Sequence, residues 1–146
     1  MFESGLEGLG KAATAAAAVA CHAGLVEREA ELLRLAAHWA DLHPGDLPDP
    51  GGPPGRERGL LLGGAGTPEV AEFAAGELGP LLETTTGSAT HLMADALDLR
   101  HRLPRLWGRV RAGQVRAWKA RRVAEATRYL PPVAAAAVDA AVAGCV

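Results

Sequence analysis

The sequence has no asparagine, no isoleucine, only two serines, and two lysines against thirteen arginines. This bias reads as the codon preference of a GC-rich genome, so arginine abundance alone says little about partners. Cysteine is almost absent too. Cys21 and Cys145 lie at opposite ends, which excludes a disulfide framework and a C-x-x-C metal or redox pair and points to a reducing, cytoplasmic compartment. The sequence lacks a run of ~18 strongly apolar residues, which excludes a membrane span. Ala18-Val19-Ala20-Cys21 loosely matches a lipoprotein cleavage box, but Glu3 and Glu7 precede it and alanine makes a poor signal core. Aromatics make up 4% of residues and alanine supplies 31 positions, so the buried area per residue is expected to be modest and stability marginal.

What is present is charge, unevenly placed. Residues 1–99 carry fifteen acids and five bases, whereas residues 100–128 carry ten bases and one acid, Glu125. Such asymmetry implies either an anionic partner or docking of the two halves on each other.

The organisation is helical. Region 1–42 holds a long helix from about residue 11 to 42, with Ala18, His22, Leu25, Glu29, Leu32, Ala36 and Trp39 at 4-3 spacing along one seam. His22 and Glu29 notch that seam, which argues for a bundle helix over a strict coiled coil. Residues 43–66 contain five prolines and eight glycines, the composition of a flexible loop or linker, with Leu60 to Leu62 as a turn or short extended piece. Region 67–146 reads as further helices forming one domain with the first. One starts at Thr67-Pro68-Glu69 and kinks or ends at Gly79-Pro80. The next is capped by Ser88 and runs to Arg102, and a short one spans Pro104 to Ala112. Another runs from Val115 to Tyr129 after Gly113, and the last follows Pro131-Pro132. Strand-type alternation is missing. The expected fold is all-α, a bundle of five to six helices with a long Pro/Gly-rich loop.

Three stretches, AAHWADLH (36–43), GTPEVAEFAAGELGPLLET (66–84) and ADALDLRHRLPRLWGRVRAGQVRAWKARRVAEAT (94–127), resemble the actinobacterial DUF222 family. This domain of unknown function typically lies N-terminal to an HNH endonuclease domain. The resemblance implies a helical domain associated with DNA-processing proteins. An HNH site needs a His–Asn–His framework, and the chain has no asparagine, so the nuclease part is missing and no enzymatic activity is expected. The end at Ala143 to Val146, shortly after a helix begins, reads as a C-terminal truncation.

The candidate site is RVRAGQVRAWKARR, residues 109–122. It fits a helix-turn-helix outline in which Gln114, Arg116 and Lys119 approach base edges while Arg109, Arg111 and Arg121 meet phosphates. Val115, Trp118, Val123, Ala126 and Tyr129 form an apolar stripe beside it, but Lys119 and Arg122 fall inside that stripe, as snorkelling side chains of a plain helical hairpin would. Both readings stay open: a DNA-binding module, or a structural or protein-interaction module in which the basic segment docks on Glu27, Glu31, Glu72 or Glu77. Trp107 and Trp118 can stack on bases, though core anchoring is the plainer role. His91, Asp95 and Asp98 share a face with Arg102 and read as a solvated charged face rather than a metal site. With Ser88 explained as a cap, no nucleophile–base–orienter set can be assembled, and no cofactor is expected. Arg100 interrupts an apolar face and needs a partner, for which Glu77 is proposed. The expected partners are DNA, a second copy or another protein, and not a membrane.

Overall fold

The computed structural model describes residues 5–46 and 57–145. The centre of the Pro/Gly-rich segment lies outside them. Among the described residues there are six helices: α1 (Lys11–Asp41), α2 (Ala74–Leu81), α3 (Thr86–Arg102), α4 (Pro104–Arg111), α5 (Ala117–Thr127) and α6 (Pro132–Val142). The all-α reading holds, with one small addition. Strands β1 (Gly59–Leu60) and β2 (Val70–Ala71) pair antiparallel, and Pro44 bridges to Val70. Two-residue strands are too short to leave an alternating pattern.

α3 is the axle of the domain. It packs against α1, α2, α4, α5 and α6, and every residue from Leu92 to Leu99 is buried. A helix enclosed on all sides must be apolar all round or must have its polar residues paired. The outcome for Asp95 and Asp98 follows from that.

Several local starts differ from expectation. Thr67 does not cap a helix. Its hydroxyl donates to the Gly64 carbonyl at 2.8 Å, Gly66 turns the chain with φ 95°, and Val70 and Ala71 go into β2, so α2 begins only at Ala74. It ends at Leu81, one residue beyond Pro80. α3 is capped by Thr85, not Ser88: Thr85 Oγ1 accepts from the Ser88 amide at 3.0 Å, and Ser88 sits in the first turn. The cap of α4 comes from far away, because the buried carboxylate of Asp139 on α6 accepts from the Arg105 and Leu106 amides at 3.0 and 2.9 Å. A carboxylate at a helix N-terminus satisfies orphan donors and complements the dipole.

The long helix exists as expected, but its seam is turned. The stripe packed on the bundle is Ala30, Leu33, Ala36, Ala37 and Ala40, one residue out of phase with much of the expected seam. Leu25 and Leu32 face solvent, and residues 11–23 are exposed throughout.

Candidate nucleic-acid interface

The basic segment does form two helices joined by a turn. α4 closes with the Gly113 amide donating to the Val110 carbonyl (3.0 Å) and the Gln114 amide to the Arg109 carbonyl (2.9 Å). This double closure puts Gly113 at φ 73°, a backbone region where glycine carries no Cβ penalty. α5 begins at Ala117, two residues later than expected, with Arg116 in the extended conformation just before it.

The six candidate residues do not share one surface role. Arg116 makes a two-pronged bond to Glu29 of α1, Nε to Oε2 at 3.0 Å and Nη2 to Oε1 at 2.7 Å, so the start of α5 is tied to α1. Arg121 Nε donates to Asp95 Oδ2 at 2.7 Å, and Arg109 donates to the Ala143 carbonyl past the end of α6. Arg111, Gln114 and Lys119 are exposed, with the Lys119 ammonium 5.8 Å from the centre of the Trp118 ring.

Arg121 belongs to a buried ionic cluster, and that cluster corrects the expectation of His91, Asp95, Asp98 and Arg102 as a solvated face. Only His91 is exposed; the other three are buried. Asp98 accepts from Arg128 Nε at 2.8 Å and from the Gly64 amide at 2.7 Å, and lies 3.6 Å from Arg102 Nε. Asp95 accepts from Arg128 Nη2 at 2.6 Å as well as from Arg121. Arg102 spends its remaining donors on backbone carbonyls, among them Thr127 and Leu130, both at 2.8 Å. Burial works against the charge of Arg128, but the bonds to Asp98 and Asp95 outweigh it and hold its pKa above the ordinary guanidinium value. The cluster joins α3, the end of α5 and the Gly63-Gly64 stretch, so the C-terminal end of the glycine-rich segment is a structural part of the domain rather than a linker.

Arg100 is paired, though not with Glu77. Its Nη1 donates to Asp41 at 2.8 Å, while Glu77 faces His43 Nε2 at 3.2 Å. Asp41 is the nearer solution because α1 ends beside α3, where its carboxylate meets the last turn. None of Glu27, Glu31, Glu72 or Glu77 pairs with the basic segment among the described residues; Glu29, Asp41, Asp95 and Asp98 do so instead.

The Arg116 hydrogen bond lowers the pKa of Glu29, and the Arg100 hydrogen bond lowers that of Asp41. A carboxylate depressed on folding adds stability that is present above its unfolded pKa of about 4 and lost as pH falls through its folded value. Thermal unfolding should therefore show a melting temperature that drops between about pH 5 and pH 3. Arg116→Gln and Arg100→Gln should each flatten that dependence; an unchanged acid limb in both variants would show that these pairs contribute nothing. The pKa of His101 is lowered as well, but for another reason: burial, then the charge of Arg100, disfavours its protonated form. Its Nε2 accepts from Arg100 Nε at 3.1 Å, so it too makes folding less favourable as pH falls.

One surface escaped the sequence reading. The buried face of α5 is Ala117, Ala120, Ala124 and Thr127, opposite the expected apolar stripe. Trp107 is buried as expected, but Trp118 is 52% and Tyr129 94% exposed. Trp118, Arg122 and Tyr129 thus line the outer side of α5 with Lys119 beside them. Lys119 and Arg122 falling among the aromatics was the available signal: the mixed face is the solvent face. No group of three or more His, Cys, Asp and Glu side chains comes together as a metal site among the described residues, and none of their helices is long and apolar enough to cross a membrane. Comparison with known proteins gives no matching family model, curated protein or solved structure.

Proposed function

We propose that this chain is a non-catalytic helical interaction module, of the kind that precedes HNH endonuclease domains, and that its arginine-rich segment serves the fold. The observation that carries this reading is the pairing pattern. Arg100, Arg102, Arg116, Arg121 and Arg128 each face a carboxylate from another part of the domain or, for Arg102, from its own helix. Arginines held this way have their donors engaged and are poorly placed to neutralise phosphates. Asp95 and Asp98 are likewise occupied by guanidinium groups, which leaves them unsuited to metal ligation or acid–base work. Supercoiled plasmid incubated with the protein and Mg²⁺, Mn²⁺ or Zn²⁺ should be neither nicked nor retarded; nicking that follows the pure protein through purification would overturn the reading.

A second reading rests on the outer face of α5. Trp118 and Tyr129 offer stacking surfaces, with Lys119 and Arg122 as phosphate contacts, the combination used for single-stranded nucleic acid. Quenching of tryptophan fluorescence by an oligonucleotide, lost in Trp118→Ala, is its signature.

A further inference from the structure

α1 has two apolar faces, and the bundle uses only one. The inner stripe packs on the domain. The outer one, Ala18, Cys21, Leu25, Leu32, Leu35, Trp39 and Leu42, keeps a 3-4 spacing interrupted only by Arg28, the a/d pattern of a two-helix seam. Leu25, Leu32, Leu35 and Leu42 are all exposed large hydrophobics. Leu32, Leu35, Trp39 and Leu42 join Leu78 and Leu81 of α2 in a groove of about 370 Å³. At the other end of α1, residues 11–23 are exposed and mostly alanine. An isolated alanine-rich helix of that length is marginal in water.

We propose that this outer face pairs antiparallel with the same face of a second copy, an inference that rests on the reading of the chain as an interaction module. One register satisfies three independent features. Setting Leu25 opposite the partner's Leu35 brings Arg28 opposite Leu32, Cys21 opposite Trp39 and Ala18 opposite Leu42. The thin, alanine-rich half of each helix then covers the leucine groove of the other, small residues against large. In the same register Arg28, the one charge within the seam, falls beside Glu31 at the edge of the second copy, and the twofold repeats that pair at the other side. Self-complementarity of this kind is what a twofold interface requires, and opposite charges at the flank fix register. Glu27 and Arg28 have no ion-pair partner among the described residues of one chain; Glu31 and Arg34 pair with each other at 2.6 Å.

The test is the solution mass of the full chain by light scattering, without nucleic acid, over a range of concentrations. The expected result is twice the 15.1 kDa of one chain. Leu35→Glu, at an exposed position, should yield the monomer with an unchanged circular dichroism melt of the bundle. Arg28→Glu should weaken association roughly tenfold, and adding Glu31→Arg should restore it. Spin labels at Ala20→Cys, off the seam, with Cys21→Ser and Cys145→Ser, distinguish the direction: about twenty residues separate position 20 from its facing position, so the labels should lie about 30 Å apart, against about 10–15 Å for a parallel pair. A monomer at all concentrations, a dimer indifferent to Leu35→Glu, or the short distance would each overturn the inference. A monomer that also ignores DNA would remove the dimer while leaving the arginines as part of the fold. A dimer that retards plasmid would instead remove the reading of the basic segment.

Discussion

Asp98→Ala should lower stability by about 3–5 kcal/mol, because it leaves Arg102 and Arg128 buried without their shared counter-charge. Asp98 is wholly buried, accepts from Arg128 and from the Gly64 amide, and faces Arg102. Removing it therefore strands two guanidinium groups and one backbone donor together. Domains of this size are stable by about 5–15 kcal/mol in total, and an alanine-rich core places this one toward the low end. The expected fall in melting temperature is about 10–20 °C. Asp98→Asn keeps the shape and one acceptor oxygen, so its loss should be smaller but of the same sign. Chemical denaturation of the three proteins measures this directly, and an Asp98→Ala variant within about 1 kcal/mol of the parent would mean that the cluster is incidental to the fold.

Gly64→Ala is the second large effect. A Cβ on Gly64 would lie 2.4 Å from the Arg128 carbonyl oxygen and 2.6 Å from Arg102 Cζ. Neither neighbour is a free side-chain end: one is backbone, and the other is a guanidinium fixed by carbonyls on α5 and beyond it. Relief requires the glycine stretch to lift off, which breaks the Gly64 amide bond to Asp98. Overpacking of this kind costs about 1–3 kcal/mol, and the lost hydrogen bond puts this site at the upper end. Gly108→Ala is the matched control. Gly108 lies within α4 with nothing within 4 Å of its added Cβ, so alanine there should stabilise by about 0.5–1 kcal/mol. If both substitutions moved stability equally, the close packing at Gly64 would carry no weight.

The elements of this fold were largely legible and their orientations were not. Helix periodicity, Pro104, Gly113 and the Pro131-Pro132 pair bounded α1 and α4 to α6 closely, and α3 to within three residues at its start, because those signals are local. Which face turns inward is decided by partners distant in sequence. Asp95 and Asp98 look like surface residues until Arg121 and Arg128 arrive from α5, 26 to 33 positions later. In α5 the buried residues are three alanines and Thr127, whose small side chains suit close packing on α3. A hydrophobicity reading favours Trp118 and Tyr129 instead and so selects the solvent face. For the candidate site, the basic character of 109–122 was plain, whereas the partners of Arg109, Arg116 and Arg121 required the third dimension. α2 was misplaced because Val70 and Ala71, apolar at helix-compatible positions, are taken by a strand pair too short to announce itself.

Arg116 and Arg121 are proposed to serve the fold rather than to read nucleic acid. Titration of labelled duplex DNA, with wild type and an Arg116→Ala/Arg121→Ala variant measured side by side at ~50 and ~200 mM salt, tests it most directly. Binding by the wild type is expected to be no tighter than ~100 μM near physiological salt, with an equal curve for the variant at temperatures where both are folded and a lower melting temperature for the variant. Binding tighter than ~1 μM, with a log–log salt slope near −3.6 as four phosphate contacts would give, and its loss in a variant that melts like the wild type, would contradict it.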